Sequence, residues 1–228
     1  MKKLMMIAAM MVAALGVNAQ SRFDAGTVTI QPFMGGTGAM LSNMPDIDGL
    51  GKKVDATATG GAIVGAELEY RMTERVSVAA GVNWSQEGSG WKDTDISYRG
   101  QQAELKDAKI ETSYLNVPLT LNYYLFKGFA VKAGAQFGFL TSAKEKLSIK
   151  GSAGDYNATL DVDTDIKDAF NKFDLAIPVG VSYEFKVPIV IDLRFNIGVT
   201  KVNKDPWFDN NDSRNMVCNL TVGYKFKL

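Results

Sequence analysis

Apolar and polar residues alternate along about eight stretches of this chain, the pattern of β-strands that have one apolar face. Tight turns separate some of these stretches, at Met72–Arg75, Phe126–Gly128 and Lys186–Pro188. Long polar excursions separate the others, near residues 36–60, 86–109, 142–171 and 201–214. If successive strands run antiparallel, all the tight turns lie at one end of the sheet and all the long excursions at the other.

The length of the stretches favours a membrane protein. Several of them place six or seven apolar residues on one face, a span of about 12–14 residues, whereas soluble strands have a mode of about 5–6. A tilted membrane strand needs about 9–11 residues. The sequence therefore predicts an eight-stranded, antiparallel, closed transmembrane β-barrel with short periplasmic turns and long extracellular loops. A soluble lipocalin-like barrel with its apolar face turned inward is the alternative.

The aromatic residues and two prolines refine this prediction. Aromatic residues stand beside the tight turns and beside the long excursions, as in the two girdles of a membrane barrel, and they include Tyr124 at the turn side and Tyr114 at the loop side. Pro118 and Pro178 fall within strong strand runs, where each removes a backbone donor. We expect bulges or lumen-facing positions at both.

The first 19 residues have the features of a cleavable signal peptide. Lys2 and Lys3 precede an apolar run, and Val17-Asn18-Ala19 forms a small-x-small cleavage site before Gln20. The run is about 14 residues, short for a membrane-spanning helix of about 20. The sequence thus predicts a signal peptide at 1–19 and one barrel domain at 20–228, exported through the periplasm to the outer membrane.

Composition excludes several classes of function. Cleavage would leave 23 basic residues of the original 25 against 25 acidic ones, so no excess of positive charge points to nucleic acid. Histidine is absent, which removes His-dependent hydrolysis and His-ligated zinc. The single cysteine, Cys218, is expected to act as a small apolar residue. We expect no enzyme activity, no cofactor and no metal site.

Three segments resemble the PorT-like outer-membrane barrel family of Bacteroidota. They are Tyr114-Leu115-Asn116-Val117-Pro118-Leu119, then Ala133-Gly134-Ala135-Gln136-Phe137-Gly138, then Phe173-Asp174 at the start of a glycine-containing strand. The resemblance covers most of the mature chain. It implies an eight-stranded barrel in the outer membrane of a Gram-negative bacterium. The founding member of that family works in protein secretion, but no motif here ties this chain to secretion.

Charged residues alternate with the apolar ones and are predicted to face the lumen. An eight-stranded barrel has an interior just wide enough for side chains to fill, so these residues should form a packed network of ion pairs and hydrogen bonds. Their packed network would plug the barrel; a narrow ion or proton path through the same residues is the alternative. The predicted lumen network consists of Glu67, Glu69, Lys132, Asp174, Glu184, Asp192, Arg194 and Lys225.

The predicted outer loops carry the candidate binding residues. Aromatic side chains in polar loops often anchor partners, and here they are Trp91, Tyr98, Trp207 and Phe208. Asp161, Asp163 and Asp165 have the spacing that opens a calcium loop, but Ile166 replaces its glycine and Lys172 its glutamate. We therefore expect a solvated loop there. Gly35-Gly36-Thr37-Gly38 is predicted to begin a flexible loop.

These features predict a porin-like barrel of the cell envelope without enzymatic activity. Its lumen is plugged, and its role is structural or consists of surface binding through the outer loops. A narrow transport pore or a component of a secretion system is the alternative. The expected partners are outer-membrane lipid and lipopolysaccharide, together with an unidentified extracellular or envelope protein.

Overall fold

The computed structural model describes residues 24–43, 56–98, 101–126, 128–153, 156–204 and 212–228. Nearly all of them are in strands, apart from one 3-10 helical turn at Lys167–Ala169. Within these ranges, no helix is long and apolar enough to cross a bilayer. The strands are β1 Val28–Leu41, β2 Ala56–Arg71, β3 Val76–Trp91, β4 Thr94–Tyr98, β5 Gln101–Phe126, β6 Phe129–Ala153, β7 Tyr156–Asp165, β8 Phe173–Glu184, β9 Ile189–Gly198, β10 Asn215–Tyr224 and β11 Phe226–Lys227.

The sheet closes into a barrel because β1 pairs with β2 on one side and with β10 on the other. Every pairing is antiparallel. The order around the barrel is β1, β2, β3, β5, β6, β8, β9 and β10, and β11 continues β10 along β1. Likewise β4 continues β3 along β5, and β7 precedes β8 along β6. The described chain is therefore the predicted closed barrel of eight antiparallel strands.

The apolar residues of the strands point outward. Leu68, Leu121 and Leu220 are 48%, 53% and 55% exposed. Their sequence neighbours on the opposite face are buried, for example Glu67 and Asn122 at 3% and 0%. A soluble barrel would show the reverse arrangement, so the lipocalin-like alternative is wrong.

Aromatic residues border this apolar surface at both ends. At the tight-turn end, Phe126 stacks on Phe129 with 4.9 Å between ring centroids. At the other end, Phe139 and Phe173 meet edge to face at 5.8 Å. The predicted girdles are present, but two aromatic residues assigned to them are not part of them. Tyr114 and Tyr124 are 1% and 5% exposed and face the interior, because each lies at an even-numbered, lumen-facing position of β5.

Two of the long predicted loops, at 86–109 and 142–171, are largely strands. Polar residues 101–109 belong to β5 and residues 142–153 to β6, and the two segments pair with each other. β4 and β7 flank them, so the sheet order in this part is β4, β5, β6, β7. This four-stranded part is the sheet extension. Both faces of the sheet extension lie beyond the apolar belt, so its composition is polar and resembles that of a loop. Its backbone is nevertheless paired as a sheet.

β1 continues past the glycines that were predicted to begin a loop. Gly35, Gly36 and Gly38 pair with β2 on one side and with β10 on the other, and β1 ends at Leu41. A Cβ atom on Gly35 would overlap the backbone carbonyl of Leu220. Gly35 therefore serves the close approach of a neighbouring strand, and the segment is part of the sheet rather than a flexible loop.

Pro118 and Pro178 both face the lumen and are buried. The β3–β5 ladder is interrupted between Ala80–Leu119 and Asn83–Asn116, which places Gly81 across from Pro118. The β6–β8 ladder is interrupted around Pro178 in the same way, with Gly134 opposite. No register shift accompanies either gap. The lumen-facing expectation is confirmed, and the missing proline donors are accommodated without bulges.

Leu220→Arg tests the outward face. It would place a charge near the middle of the apolar belt, and we expect a loss of about 2–4 kcal/mol in the free energy of unfolding. Leu220→Ile is the matched control and should stay within about 1.5 kcal/mol of the parent. Urea unfolding in lipid vesicles measures both. An arginine variant as stable as the parent would show that Leu220 does not face lipid.

Candidate functional site

The barrel interior is the densest collection of charged side chains in the described structure. Successive strand residues point to opposite faces, so the polar half of each alternating stretch is directed inward. All of the predicted lumen residues are buried there, each with 7% exposure or less. They are not one network, however: they form two ion-pair clusters and a separate polar group around Asp174.

The first cluster lies at mid-barrel and joins two carboxylates with two cations. Lys132 Nζ lies 3.2 Å from Glu67 Oε1 and 2.7 Å from Asp192 Oδ2. Arg194 Nη2 lies 3.0 Å from Glu67 Oε2 and 3.2 Å from Asp192 Oδ2. Each charge therefore has two partners of opposite sign, which compensates its removal from water.

The second cluster lies at the tight-turn end. Lys225 Nζ is 2.7 Å from Glu69 Oε2 and 3.2 Å from Glu184 Oε2. Arg71 Nη2 approaches the same two carboxylates at 3.6 and 3.5 Å. The Tyr124 hydroxyl donates a hydrogen bond to Glu69 Oε1 at 2.6 Å, and its ring lies 3.9 Å beneath the Arg71 guanidinium carbon.

Asp174 lies apart from both clusters, toward the loop end. Its Oδ1 accepts a hydrogen bond from Thr200 Oγ1 at 2.6 Å, and its Oδ2 accepts one from Asn215 Nδ2 at 2.9 Å. Glu87 is buried at the same end and accepts a bond from Ser85 Oγ at 2.7 Å. Asp174 therefore faces the lumen and is held by hydrogen bonds, without joining either ion-pair cluster.

Little free space remains between these side chains. A mid-barrel cavity of about 10 Å³ is lined by residues that include Glu67, Asn83, Asp192 and Arg194. This is about the volume that the centre of one water molecule requires.

An apolar cluster fills the interior at the loop end. Phe170 and Val202 come from the segments before β8 and after β9, and the other members lie on barrel strands. We call this cluster the apolar cap. It comprises Leu41, Ile110, Tyr114, Leu140, Ala143, Phe170 and Val202.

The sequence matches the family described as "Outer membrane protein beta-barrel domain" over residues 18–204. The chain belongs to this family. It is an integral protein of the bacterial outer membrane, in agreement with the outward apolar belt. No curated protein matches the sequence.

Several solved outer-membrane barrels have a similar fold. Ail, the attachment invasion locus protein of Yersinia pestis, is 13% identical, with 89% of this chain and 99% of Ail covered and a TM-score of 0.42. OprG from Pseudomonas aeruginosa is 16% identical, with 92% and 99% covered and a TM-score of 0.44. Neisserial surface protein A is 12% identical, with 90% and 100% covered and a TM-score of 0.43.

The candidate binding aromatics of this outer-membrane barrel are only partly described. Trp91 is half-buried at the end of β3 and packs against the apolar cap. Tyr98 ends β4, but its side chain lies outside the described structure, as do Trp207 and Phe208. Trp91 therefore contributes to the packing of the barrel rim.

The aspartates with calcium-loop spacing lie on a strand. Asp163 and Asp165 belong to β7 and pair in register with β6, so their backbone cannot wrap around an ion. Lys144 Nζ lies 3.5 Å from Asp163 Oδ1. Within the described ranges, no three acidic, cysteine or histidine residues are grouped as metal ligands.

Arg71, Tyr124 and Glu87 are among the lumen residues that sequence reasoning missed. Arg71 adjoins a tight turn and Tyr124 follows another tyrosine, so neither was assigned to the lumen. Counting every second residue from Glu67 and from Asn122 places both on the inward face. Glu87 lies in a segment that was predicted to be a loop, so no strand phase was assigned to it. Extending the alternation of β3 by one more pair of residues would have identified it.

Arg194→Met tests the mid-barrel cluster. It would leave Glu67 and Asp192 with Lys132 alone, and we expect a loss of about 3–5 kcal/mol in the free energy of unfolding. Lys201→Met is the matched control, because Lys201 Nζ lies 2.9 Å from Asp212 Oδ1 in an exposed pair. Exposed pairs contribute about 0–1 kcal/mol. Equal losses in both variants would contradict a tightly packed lumen network.

Proposed function

We propose that this protein is a non-enzymatic outer-membrane barrel with a plugged lumen, which binds partners at the cell surface through its sheet extension. The observation that carries the binding role is the extension itself. Beyond the barrel, β5 and β6 remain paired from Lys109–Lys146 to Gln102–Ser152, about 24 Å of strand at about 3.4 Å per residue. Such a length is far more than closing the barrel requires.

The edges of the extension are suited to binding. In the described chain, β4 pairs only with β5 and β7 only with β6. Each therefore presents unpaired backbone donors and acceptors on its outer side. An extended peptide can add to such an edge as a further strand, so we infer that the partner contributes an extended segment.

Charged side chains stabilise the base of the extension. Lys146 Nζ lies 2.6 Å from Glu111 Oε2, and Lys109 Nζ lies 2.8 Å from Glu111 Oε1. The hydrogen bond and charge of Glu111 raise the pKa of Lys146. These pairs hold β5 and β6 in register where they leave the apolar belt.

The plugged lumen is supported by two features of the interior. The mid-barrel and turn-end clusters occupy the cross-section with mutually paired charges, and the apolar cap fills the loop end. A solute would have to separate ion pairs and then cross an apolar layer. The runner-up function, a narrow pore, would require these side chains to move.

Lipid and lipopolysaccharide are the proposed partners of the outward surface. Exposed lysines, including Lys144, Lys172 and Lys201, lie at the loop side of the apolar belt, where lipopolysaccharide phosphates would lie. The finer PorT-like assignment rests on Tyr114–Leu119 and its companion segments. It would add a secretion role, for which we find no residue-level support.

Orientation can be checked by labelling single cysteines in a Cys218→Ser background. A maleimide attached to a polymer too large for porins should label Asp168→Cys on intact cells, because this residue is exposed at the loop end. Glu74→Cys, exposed in a tight turn, should be labelled only after the outer membrane is permeabilised. The opposite pattern would invert the topology.

The binding role is tested by shortening the extension at paired positions. The variant replaces residues 91–108 with an Asn-Gly turn that joins Gly90 to Lys109, and residues 147–162 with a second one that joins Lys146 to Asp163. Each of these two pairs lies directly opposite on neighbouring antiparallel strands, so a two-residue turn can connect it. A displayed peptide library is panned against parent and variant barrels in lipid nanodiscs. We expect strand-like peptides that bind the parent and not the variant. Equal enrichment on both barrels would argue against binding through the extension.

The plug is tested by planar-bilayer conductance of the refolded barrel. We expect negligible current for the parent and for Arg194→Met. A stable Arg194→Met variant with altered current or ion selectivity would favour the pore, because pore-lining charges control both.

A further inference from the structure

The buried charges of the lumen are not balanced. Among the described residues, the buried bases are Arg71, Lys132, Arg194 and Lys225, and the buried acids are Glu67, Glu69, Glu87, Asp174, Glu184 and Asp192. The two ion-pair clusters take up all four bases and four of the acids. Glu87 and Asp174 remain, so the loop end of the interior carries two carboxyl groups that no described cation offsets.

The contacts of these two carboxyl groups are neutral. Asp174 accepts hydrogen bonds from Thr200 and Asn215, and Glu87 accepts one from Ser85. Donors of this kind stabilise an ionised carboxylate but do not neutralise it. Asn116 lies between the two carboxyl groups, because its Nδ2 donates a hydrogen bond to Ser85 Oγ at 2.9 Å, and a Cβ atom on Gly138 would lie 2.9 Å from its Oδ1 and 3.5 Å from Asp174 Cβ. Repulsion between the two carboxylates therefore adds to the cost of their burial.

Tyr114 supplies an independent observation at the same place. Its ring belongs to the apolar cap, and the residue is 1% exposed. A Cβ atom on Gly138 would lie 3.4 Å from Tyr114 Cδ1 and 3.5 Å from Asp174 Cβ, so the ring is adjacent to Asp174. On its other side, Tyr114 lies across from Ser85, which donates to Glu87. The Asn215 amide is nearby, but within the described chain the Tyr114 hydroxyl makes no hydrogen bond of acceptable geometry.

A second buried hydroxyl is in the same condition. Thr112 lies directly across from Glu87 in the β3–β5 ladder, is 2% exposed, and its Oγ1 has no partner in the described structure. Buried polar atoms without partners are uncommon and indicate an unseen water or ion. Two of them therefore lie beside the unbalanced carboxylates.

We propose that Glu87, Asp174 and Tyr114 form a binding site for a divalent cation of the calcium type, directly beneath the apolar cap. Two carboxylates neutralise one dication, and hard cations of this kind take oxygen ligands. The Tyr114 and Thr112 hydroxyls would complete the site directly or through a bound water. The binding role of the sheet extension neither requires this site nor depends on it.

The site is tested on the mature barrel refolded in detergent with EDTA and then titrated with Ca²⁺. We expect one bound ion per barrel by equilibrium dialysis with radioactive Ca²⁺, and a thermal midpoint that rises with Ca²⁺ concentration. The dissociation constant should fall roughly in the 10⁻⁴–10⁻³ M range of extracellular calcium sites. Tb³⁺, excited through tyrosine, should luminesce in the barrel and be displaced by Ca²⁺.

Glu87→Gln and Asp174→Asn should each weaken Ca²⁺ binding at least about tenfold, since each removes half of the ligand charge. In EDTA, Glu87→Gln should unfold no earlier than the parent, because it also removes repulsion. Tyr114→Phe should reduce tyrosine-sensitised Tb³⁺ emission. Asp163→Asn, at an exposed carboxylate, is the control and should bind Ca²⁺ like the parent.

Two results would overturn the proposal. The first is a parent barrel for which neither dialysis nor the thermal midpoint shows Ca²⁺ binding. This includes a barrel that only a lower pH stabilises, because protons would then neutralise Glu87 and Asp174. The second is Ca²⁺ binding that survives in Glu87→Gln and Asp174→Asn but is lost in Asp163→Asn. The ion would then bind the outer surface.

Discussion

Charge neutrality inside a closed, narrow barrel is the constraint on which this structure depends. Eight strands leave an interior that side chains must fill, and the outward face is committed to lipid. The polar residues on the opposite face of the membrane-spanning strand segments are therefore directed into a narrow space. Glu67 and Asp192 can be ionised there only because Lys132 and Arg194 each contact both of them. The same logic repeats at the tight-turn end, where Lys225 joins Glu69 and Glu184.

The interior changes character along the barrel axis. Ion pairs occupy the turn end and the middle, neutral hydrogen bonds surround Asp174 and Glu87, and the apolar cap closes the loop end. Phe170 and Val202 reach the cap from segments between strands, so the loop end is sealed by side chains that the barrel strands alone would not provide. Carboxyl groups buried in the layer beneath are costly unless a positive charge or a proton offsets them. Glu87 in that layer also lines a cavity of about 340 Å³ together with Thr112 and Lys144.

Much of this architecture was predictable, because the side-chain period of a strand is two residues. Alternation around Leu68 and Leu220 identified the lipid face, and the same phase turned Glu67 and Arg194 inward.

Three features were not predictable from alternation. The pairing of β5 with β6 beyond the belt involves polar residues that have no apolar phase. The separation of Asp174 from the ion pairs depends on the stagger between strands. The cap depends on how inter-strand segments fold back, which no local pattern encodes.

The prolines show how the barrel reconciles strand continuity with missing donors. Pro118 and Pro178 each lie across from a glycine, and the registers on the two sides of each gap agree. A Cβ atom on Gly81 would come within 3.3 Å of Pro118 Cγ, so the glycine leaves room for the ring. Both rings are buried in the lumen, where they help to fill the cross-section without adding polar atoms. Each gap removes backbone pairing between two neighbouring strands. The mid-barrel cluster links β2, β6 and β9, and thereby ties distant parts of the wall across the lumen. The charges that make the interior costly to bury therefore also connect strands that are not neighbours in the sheet.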